Sequence, residues 1–315
     1  MEKIHDTEKQ NKLVHFLYCP VTGLGLYQGM RGNRWLRNRI TIFKQFVVPS
    51  LQAQTSQNFT LWVSWRYEDR SNSQVKELEA YLQGLFNVVF TYSGVCFWDD
   101  KYPDDVARTR LVDAVHGSLG VLIDVVGEAE TVLMTIQPSD DCYCREFVER
   151  VQDAFEKNPG MEALGFKSGY VMDYTQKKLA EWNPTTIPPF STIKFSRETF
   201  THPLEHVDYT GPYKSHEYIA DKLKFGFMDK RGFLVGVHGE NISTVFNHPF
   251  TGRHFTEEET GVILKEFGLE SAPILKLPIS IRKKIMRKLP HKVQRKVRYI
   301  FGERFYALIY EFLRS

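Results

Sequence analysis

Cysteine is scarce in this chain, with four in 315 residues at Cys19, Cys96, Cys142 and Cys144. Thiols so few and unevenly spaced do not build a disulfide framework, and Cys142-Tyr143-Cys144 is not a zinc-knuckle spacing. They read as reduced thiols of a cytoplasmic chain. Long apolar runs are also missing: no stretch of about 18 apolar residues occurs, which argues against a spanning helix. The N-terminus, MEKIHDTEKQNK, is polar with no apolar stretch behind it, so no signal peptide is expected. No internal repeat or low-complexity segment is evident.

What the chain does have is length for a sizeable core, in one large or two moderate domains. Its 42% hydrophobic and 25% charged residues are those of an ordinary soluble globular protein. The aromatic share of 14% is high, which suits either stacking on ring-shaped ligands or a Phe- and Tyr-rich core. The net charge of +3 hides an asymmetry. Residues 273–315 hold 12 Lys and Arg against two acids, Glu303 and Glu311, a surplus of +10 that leaves −7 on residues 1–272. An acidic body with a basic tail points to surface targeting before nucleic-acid binding, and no nucleic-acid partner is expected.

Strand-like runs at Leu13–Cys19, Asn58–Trp65, Asn87–Tyr92 and Thr131–Ile136 alternate with helical patterns. The first helix carries Leu36, Ile40, Phe43 and Val47 and is expected to stop near Pro49; the next carries Val75, Leu78, Leu82 and Leu85. A third spans Val106–Ala114, and a fourth buries Phe147, Val151, Ala154 and Phe155 before Asn158-Pro159-Gly160. This alternation predicts βαβ units and a Rossmann-type, mostly parallel sheet. After residue 160, Leu164–Tyr174, Leu179–Trp182, Phe190–Phe195 and Phe233–Val237 suggest a hairpin-rich half, with a small helix at Ser215–Leu223. Thr256-Glu257-Glu258-Glu259 reads as a capping box opening a helix that Gly268 closes.

The fourth strand runs into Gln137-Pro138-Ser139-Asp140-Asp141, where ligands bind in parallel sheets. Adjacent carboxylates there can hold Mg²⁺ or Mn²⁺ against a diphosphate, or cap the following helix. Arg31, Arg34 and Arg39 lie near the first loop and have forks suited to phosphate, although Arg34 reads better as a solvated surface residue. Asp99-Asp100 and Asp104-Asp105 read as loop and cap residues. By itself His238, after an apolar strand, is more often structural than a ligand, and Asn241 either supports that loop or caps a turn. Glu217, in Ser215-His216-Glu217, favours a helix N-terminus.

Trp35, Arg39, Phe43, Pro49-Ser50, Gln54, the strand Phe59–Trp65, the Ser-Asp-Asp run and Phe147 together resemble a rhamnosyltransferase family. Val237-His238-Gly239-Glu240-Asn241 resembles its late His-Gly-x-Asn segment, and the likeness runs in order over about residues 13–250. It implies a GT-A-like glycosyltransferase domain over 1–272, moving a hexose such as rhamnose from a nucleotide-sugar donor to a glycan or lipid-linked acceptor in polysaccharide biosynthesis. It implies a metal (Mn²⁺ or Mg²⁺) on Asp140, Asp141 and His238. Donor contacts would come from Arg31, Arg39, Asp140, Asp141 and Asn241, and Glu217 would be the inverting base, with His216 and then Asp208 as alternatives. The chain departs from the family where Pro138 replaces an Asp and Ile136 an Arg, which puts the metal arrangement in doubt. A nucleotidyl- or phosphoryl-transfer enzyme using the same Asp pair, and a non-catalytic glycan-binding scaffold, are the rival readings.

Residues 273–315 read as a basic, amphipathic helical tail. Arg282, Lys283, Lys284, Arg287 and Lys288 lie among Ile281, Ile285, Met286 and Leu289, a pattern suited to an anionic membrane surface. The expected location is therefore cytoplasmic and peripheral at the inner face of a membrane. A helical hairpin packing on the domain or on a second subunit is the alternative.

Overall fold

A computed structural model describes residues 12–22, 33–92, 118–202, 219–239, 241 and 244–277. The chain divides into two compact units, Met1–Leu275 and Lys276–Ser315, and every element named below belongs to the first. The helix expected at Val106–Ala114, and nearly all of the tail, lie outside the described residues.

Strands β1 (Leu13–Cys19), β2 (Thr60–Trp65) and β3 (Val88–Tyr92) are parallel neighbours, and β4 (Thr131–Ile136) lies parallel to β1 on its other side. Beyond β4 the same sheet continues through β9 (Ser191–Ser196), β6 (Ala163–Phe166) and β10 (Phe225–Met228), with only β9 running against its neighbours. All six residues of β2 are buried, as expected for a strand covered on both faces. On one face Phe16, Tyr18, Trp62, Val132 and Phe195 pack with Leu122 and Val126 of the helical residues 118–126. The fold class expected from the sequence is borne out: mixed α/β with a mostly parallel central sheet.

Between β1 and β2 the chain forms α1 (Asn33–Ile42), a π-helical turn (Phe43–Val47) and α2 (Val48–Gln52). The helix therefore does not stop near Pro49. The π turn lets the Val48 N–H reach back five residues to the Phe43 carbonyl. Pro49 then falls in the first turn of α2, where its missing N–H costs little. Helix α3 (Ser73–Gln83) is capped by Asn72, whose side chain accepts the Gln74 N–H, and it buries Val75, Leu78 and Leu82 at helical spacing. Leu85, placed on this face from the sequence, lies past the helix end and is 37% exposed.

The second half forms its own five-stranded sheet, in the order β12 (Thr251–His254), β8 (Lys178–Trp182), β7 (Gly169–Asp173), β11 (Phe233–Val237) and β5 (Cys142–Tyr143). Neither β5, β10 nor β12 is expected from the sequence; each has four residues or fewer and no period long enough to read. Helix α4 (Phe147–Lys157) follows β5, and α5 (Arg197–Thr201) follows β9. In α7 (Glu257–Glu266) the Thr256–Glu259 capping box is present, and Gly268 beyond it takes φ +68°. A Cβ there would lie 2.3 Å from that of Ala53, so glycine is needed twice over.

Candidate active site

The larger sheet reverses its strand order at β1, because the chain goes from β1 to β2 on one side while β4 returns on the other. Such a switch point leaves a crevice at the carboxyl ends of the strands. Thr22, beyond β1, donates to Asp69 at 2.6 Å, and Arg66 at the end of β2 pairs with the same carboxylate, which ties the two exits together. Across the crevice, the Gln137 N–H extends the β1–β4 ladder by bonding the Tyr18 carbonyl at 2.7 Å. The buried Gln137 amide then donates to the carbonyls of Pro138 and Asp141, both at 2.9 Å, and folds the acidic loop back on itself.

Asp141 leads into β5 rather than directly into a helix. Helix α4 begins six residues later, with Glu146 at its N-cap, so the acidic pair does not cap it. Instead β5 pairs with β11, and this brings β11 under the pair. The Gly236 N–H donates to Asp141 Oδ1 at 2.8 Å, and the Tyr174 hydroxyl donates to the Asp140 carbonyl at 2.9 Å. A Cβ on Gly236 would lie 2.3 Å from that carbonyl oxygen and 2.3 Å from the Tyr174 ring, so glycine is a steric requirement.

Two charged or titratable groups converge on one oxygen of Asp140. Arg39 of α1 approaches Asp140 Oδ2 to 2.5 Å, and His238, just past β11, lies 3.0 Å from it. The side chains of Arg39 and His238 are 3% and 0% exposed, whereas that of Asp140 keeps 16%. Burial pushes the Asp140 carboxyl up, but the Arg39 charge and the His238 hydrogen bond together outweigh it and hold the group down at about 2. Asp141 moves the other way. Its burial and the neighbouring Asp140 charge raise it well above the carboxylate range, against the weaker pull of the Gly236 N–H and Arg39. The two carboxyls thus differ in kind, one ionised and partly open, the other enclosed against backbone.

The sequence-predicted residues fall into three groups. Asp140, Asp141, Arg39 and His238 come together. Asn241 joins them as a clamp: its Oδ1 accepts the His238 N–H at 2.8 Å and its Nδ2 donates to the Gly236 carbonyl at 2.6 Å. Gly239, at φ +75°, makes the bend that this clamp needs. Arg34 is exposed, as expected of a surface residue. Arg31, His216, Glu217, Asp208 and the acidic pairs near residue 100 lie outside the described residues.

The motif residues around Arg39 face the same segment. The Arg39 guanidinium sits 5.3 Å from the Trp35 ring centre. Ser50 donates to the Tyr143 carbonyl at 2.8 Å, and Gln54 donates to the Cys144 carbonyl at 2.8 Å while accepting the Val148 N–H. Phe46, in the π turn, stacks 3.7 Å from Tyr174. The first helix therefore serves as the splint for residues 140–148. Gln137, Tyr174 and Gly236 are the supporting residues that sequence reasoning missed; only Gln137, adjoining the acidic run, left a local signal.

Mg²⁺ commonly binds one or two carboxylates together with substrate phosphates instead of an all-protein cage. Asp140, the partly open carboxylate, fits that kind of donor set, with His238 Nε2 3.0 Å away as a nitrogen neighbour. Asp141, the third expected ligand, has its Oδ1 engaged by the Gly236 N–H, and among the described residues no group of three or more His, Cys, Asp or Glu is arranged to hold a metal.

Residues 29–83 match the model of a family described as "Putative rhamnosyl transferase", which bears out the resemblance over that tract, Arg39, Ser50 and Gln54 included. No curated protein matches the chain. Among solved structures it is similar to S. aureus TarS, with 14% identity and a TM-score of 0.36, over 89% of this chain and 46% of that one. The chain thus spans under half the length of TarS. It is also similar to a "putative nucleotide-diphospho-sugar transferase" from Desulfovibrio desulfuricans G20, with 12% identity and a TM-score of 0.34 over 72% and 80% of the two chains. Mouse xyloside xylosyltransferase 1 follows, with 9% identity and a TM-score of 0.32 over 69% and 85%.

Proposed function

We propose that this chain is a GT-A-type glycosyltransferase that takes a hexose, rhamnose in the family reading, from a nucleoside-diphosphate donor seated at the carboxyl ends of β1 and β4. One observation carries the reading: Arg39, inside the family-matched tract, meets Asp140 at the switch point of the sheet. As the glycosidic bond to the donor breaks, negative charge grows on the departing diphosphate, and a fixed, desolvated cation stabilises it more than water does. Arg39 is that cation. Asp140 fixes its fork, and Asn241 and Gly236 hold His238 beside it. Mn²⁺ or Mg²⁺, when bound by Asp140 and His238, would add Lewis-acid neutralisation of the same diphosphate. Asp141 sets the loop through Gly236. An acceptor hydroxyl from a glycan or lipid-linked glycan attacks the anomeric carbon with inversion, and Glu217, or His216 in its place, takes its proton.

Thermal-shift titration with nucleoside diphosphates and nucleotide sugars, with and without Mn²⁺, tests this. A donor-specific shift in the native protein that disappears in Asp140→Asn and in His238→Gln is expected. Equal shifts in all three proteins would move the donor elsewhere. No shift with any nucleotide would favour a glycan-binding scaffold.

The basic segment 273–315 supports a second, separate part of the reading, docking on an anionic membrane where lipid-linked acceptors reside. Each Lys or Arg near such a surface contributes about 1 kcal/mol. Among the described residues no helix is long and apolar enough to cross a membrane. Co-sedimentation with anionic vesicles that is lost in a chain ending at Ala272 is the expected result; equal recovery with neutral vesicles removes this part.

A further inference from the structure

A second concavity lies along the same edge of the larger sheet. Because β9 runs antiparallel to both β4 and β6, and β10 lies parallel to β6, the carboxyl ends of β4, β6 and β10 share one edge. The register is specific. Thr192 of β9 pairs with Thr135 on one side and Leu164 on the other, so Phe166 stands level with Gln137, the residue that opens the acidic loop. Two strand spacings, about 10 Å, separate them.

Here a cavity of about 620 Å³ opens between Phe166 and Lys167 at the end of β6, the Pro184–Ile187 loop, Asp221 of α6 (Ile219–Lys222) and Phe227 of β10. Its chemistry is mixed. Phe166 is a fixed wall, buried and packed 5.8 Å from Phe147 and 6.3 Å from Tyr143, the residue two places after Asp141. Buried aromatic packing thus connects the floor of the cavity to β5, which follows the acidic pair. Phe227 is 40% exposed, although it sits in a strand, and the Lys167 ammonium lies 5.1 Å from its ring centre. Asp221 and Lys167 are exposed side chains at the rim, and Thr185 and Thr186 add hydroxyls.

Apolar and aromatic walls with a few polar groups at the rim are the features of a small-ligand pocket. The exposed Phe227 ring suits the C–H face of a pyranose, while Asp221, Lys167 and the threonines suit its hydroxyls. We infer that this cavity is a subsite for a sugar residue of the acceptor, one that does not itself react but lies two strand spacings, about 10 Å, along the sheet edge from the end of β4 that leads to Asp140. The inference rests on the transferase reading for its meaning, but not for its test. The acceptor it names is an oligosaccharide or a glycan of at least two residues, since a single hexose cannot reach both places.

Saturation-transfer NMR on the full chain with methyl α-L-rhamnopyranoside and methyl α-D-glucopyranoside tests the subsite directly. Transfer to ring protons of at least one glycoside is expected in the native protein. In Phe227→Ala, where the exposed ring can be removed without opening the core, affinity should fall about tenfold or more, the equivalent of about 1.4 kcal/mol. Asp221→Asn should weaken it in the same direction. A nucleoside-diphosphate thermal shift that is unchanged in Phe227→Ala shows that this variant is folded and that its donor site is intact. Absence of transfer to either glycoside, or an undiminished signal in Phe227→Ala, overturns the subsite. Glycoside binding without any nucleotide shift would keep the subsite and sink the transferase reading instead.

Discussion

In the larger sheet β1, β2 and β3 pair in chain order, each with a helical crossover to the next; in the smaller sheet β5 pairs with a strand from far along the chain. Asp141 and Gly236, which bond across that junction, are 95 residues apart in sequence. The first arrangement makes a platform from local contacts. The second completes the site by one long-range closure, and Asp140 lies where the two meet. The larger sheet and its first crossover supply position and the Arg39 charge, and the smaller sheet supplies His238 and the Gly236 and Asn241 bonds that set the geometry. Perturbations at the junction should therefore affect ligand binding and stability together, whereas perturbations within either half should affect stability alone.

The strongest break is expected at Arg39. Removing one partner of a buried ion pair leaves the other charge uncompensated, at a cost of about 3–5 kcal/mol. Arg39→Ala should lose about that much in urea denaturation and should also lose nucleoside-diphosphate binding. The double variant Arg39→Ala/Asp140→Ala should recover part of the stability and none of the binding. A cost below about 1 kcal/mol for the single change would mean that the halves are not joined through this pair.

Gly236→Ala probes the same junction from the other side. Its methyl group would collide with the Asp140 carbonyl and the Tyr174 ring, and overpacking of this kind costs about 1–3 kcal/mol. Reduced nucleotide affinity should accompany the lower Tm. Unchanged affinity would detach the second sheet from the site.

His15 tests the platform alone. It is buried in β1, with Nε2 2.8 Å from Thr135 Oγ1 and Nδ1 3.3 Å from the Gln152 amide, and burial lowers it to about 3. Because the folded value lies below that of the unfolded chain, the unfolded state takes the proton first. This contribution is complete above about pH 6.5 and is lost as pH falls from there toward 3, at up to about 1.4 kcal/mol per unit. Urea midpoints at pH 7, 6 and 5 should fall more steeply in the native protein than in His15→Gln, with nucleotide affinity at pH 7 equal in both. Parallel slopes would remove the assignment.

The smallest effect is expected at Gly261, inside α7, where an added Cβ meets nothing within 4 Å. Gly261→Ala should stabilise the second half by about 0.5–1 kcal/mol without touching binding. A loss of nucleotide affinity there would contradict the confinement of the site to the junction.

The chain by itself determined its local elements wherever period and punctuation were both present. The parallel strands, the α3 face of Val75, Leu78 and Leu82, the Thr256–Glu259 capping box and the Gly268 stop all depend on residues a few places apart, so they are legible without a fold. The acidic pair was legible too, because a strand end in an alternating α/β pattern already marks a ligand edge. The tertiary structure alone decided what each carboxyl is. Asp140 is ionised because Arg39 and His238 arrive from α1 and from beyond β11, and Asp141 is enclosed because Gly236 has no side chain to keep it away. None of these three partners lies near the pair in sequence. The helix that passes Pro49 was illegible for a related reason: one extra residue in a π turn is invisible to a 3.6-residue period. Two- and four-residue strands such as β5 and β10 carry no period of their own and exist only because a partner edge is there to receive them.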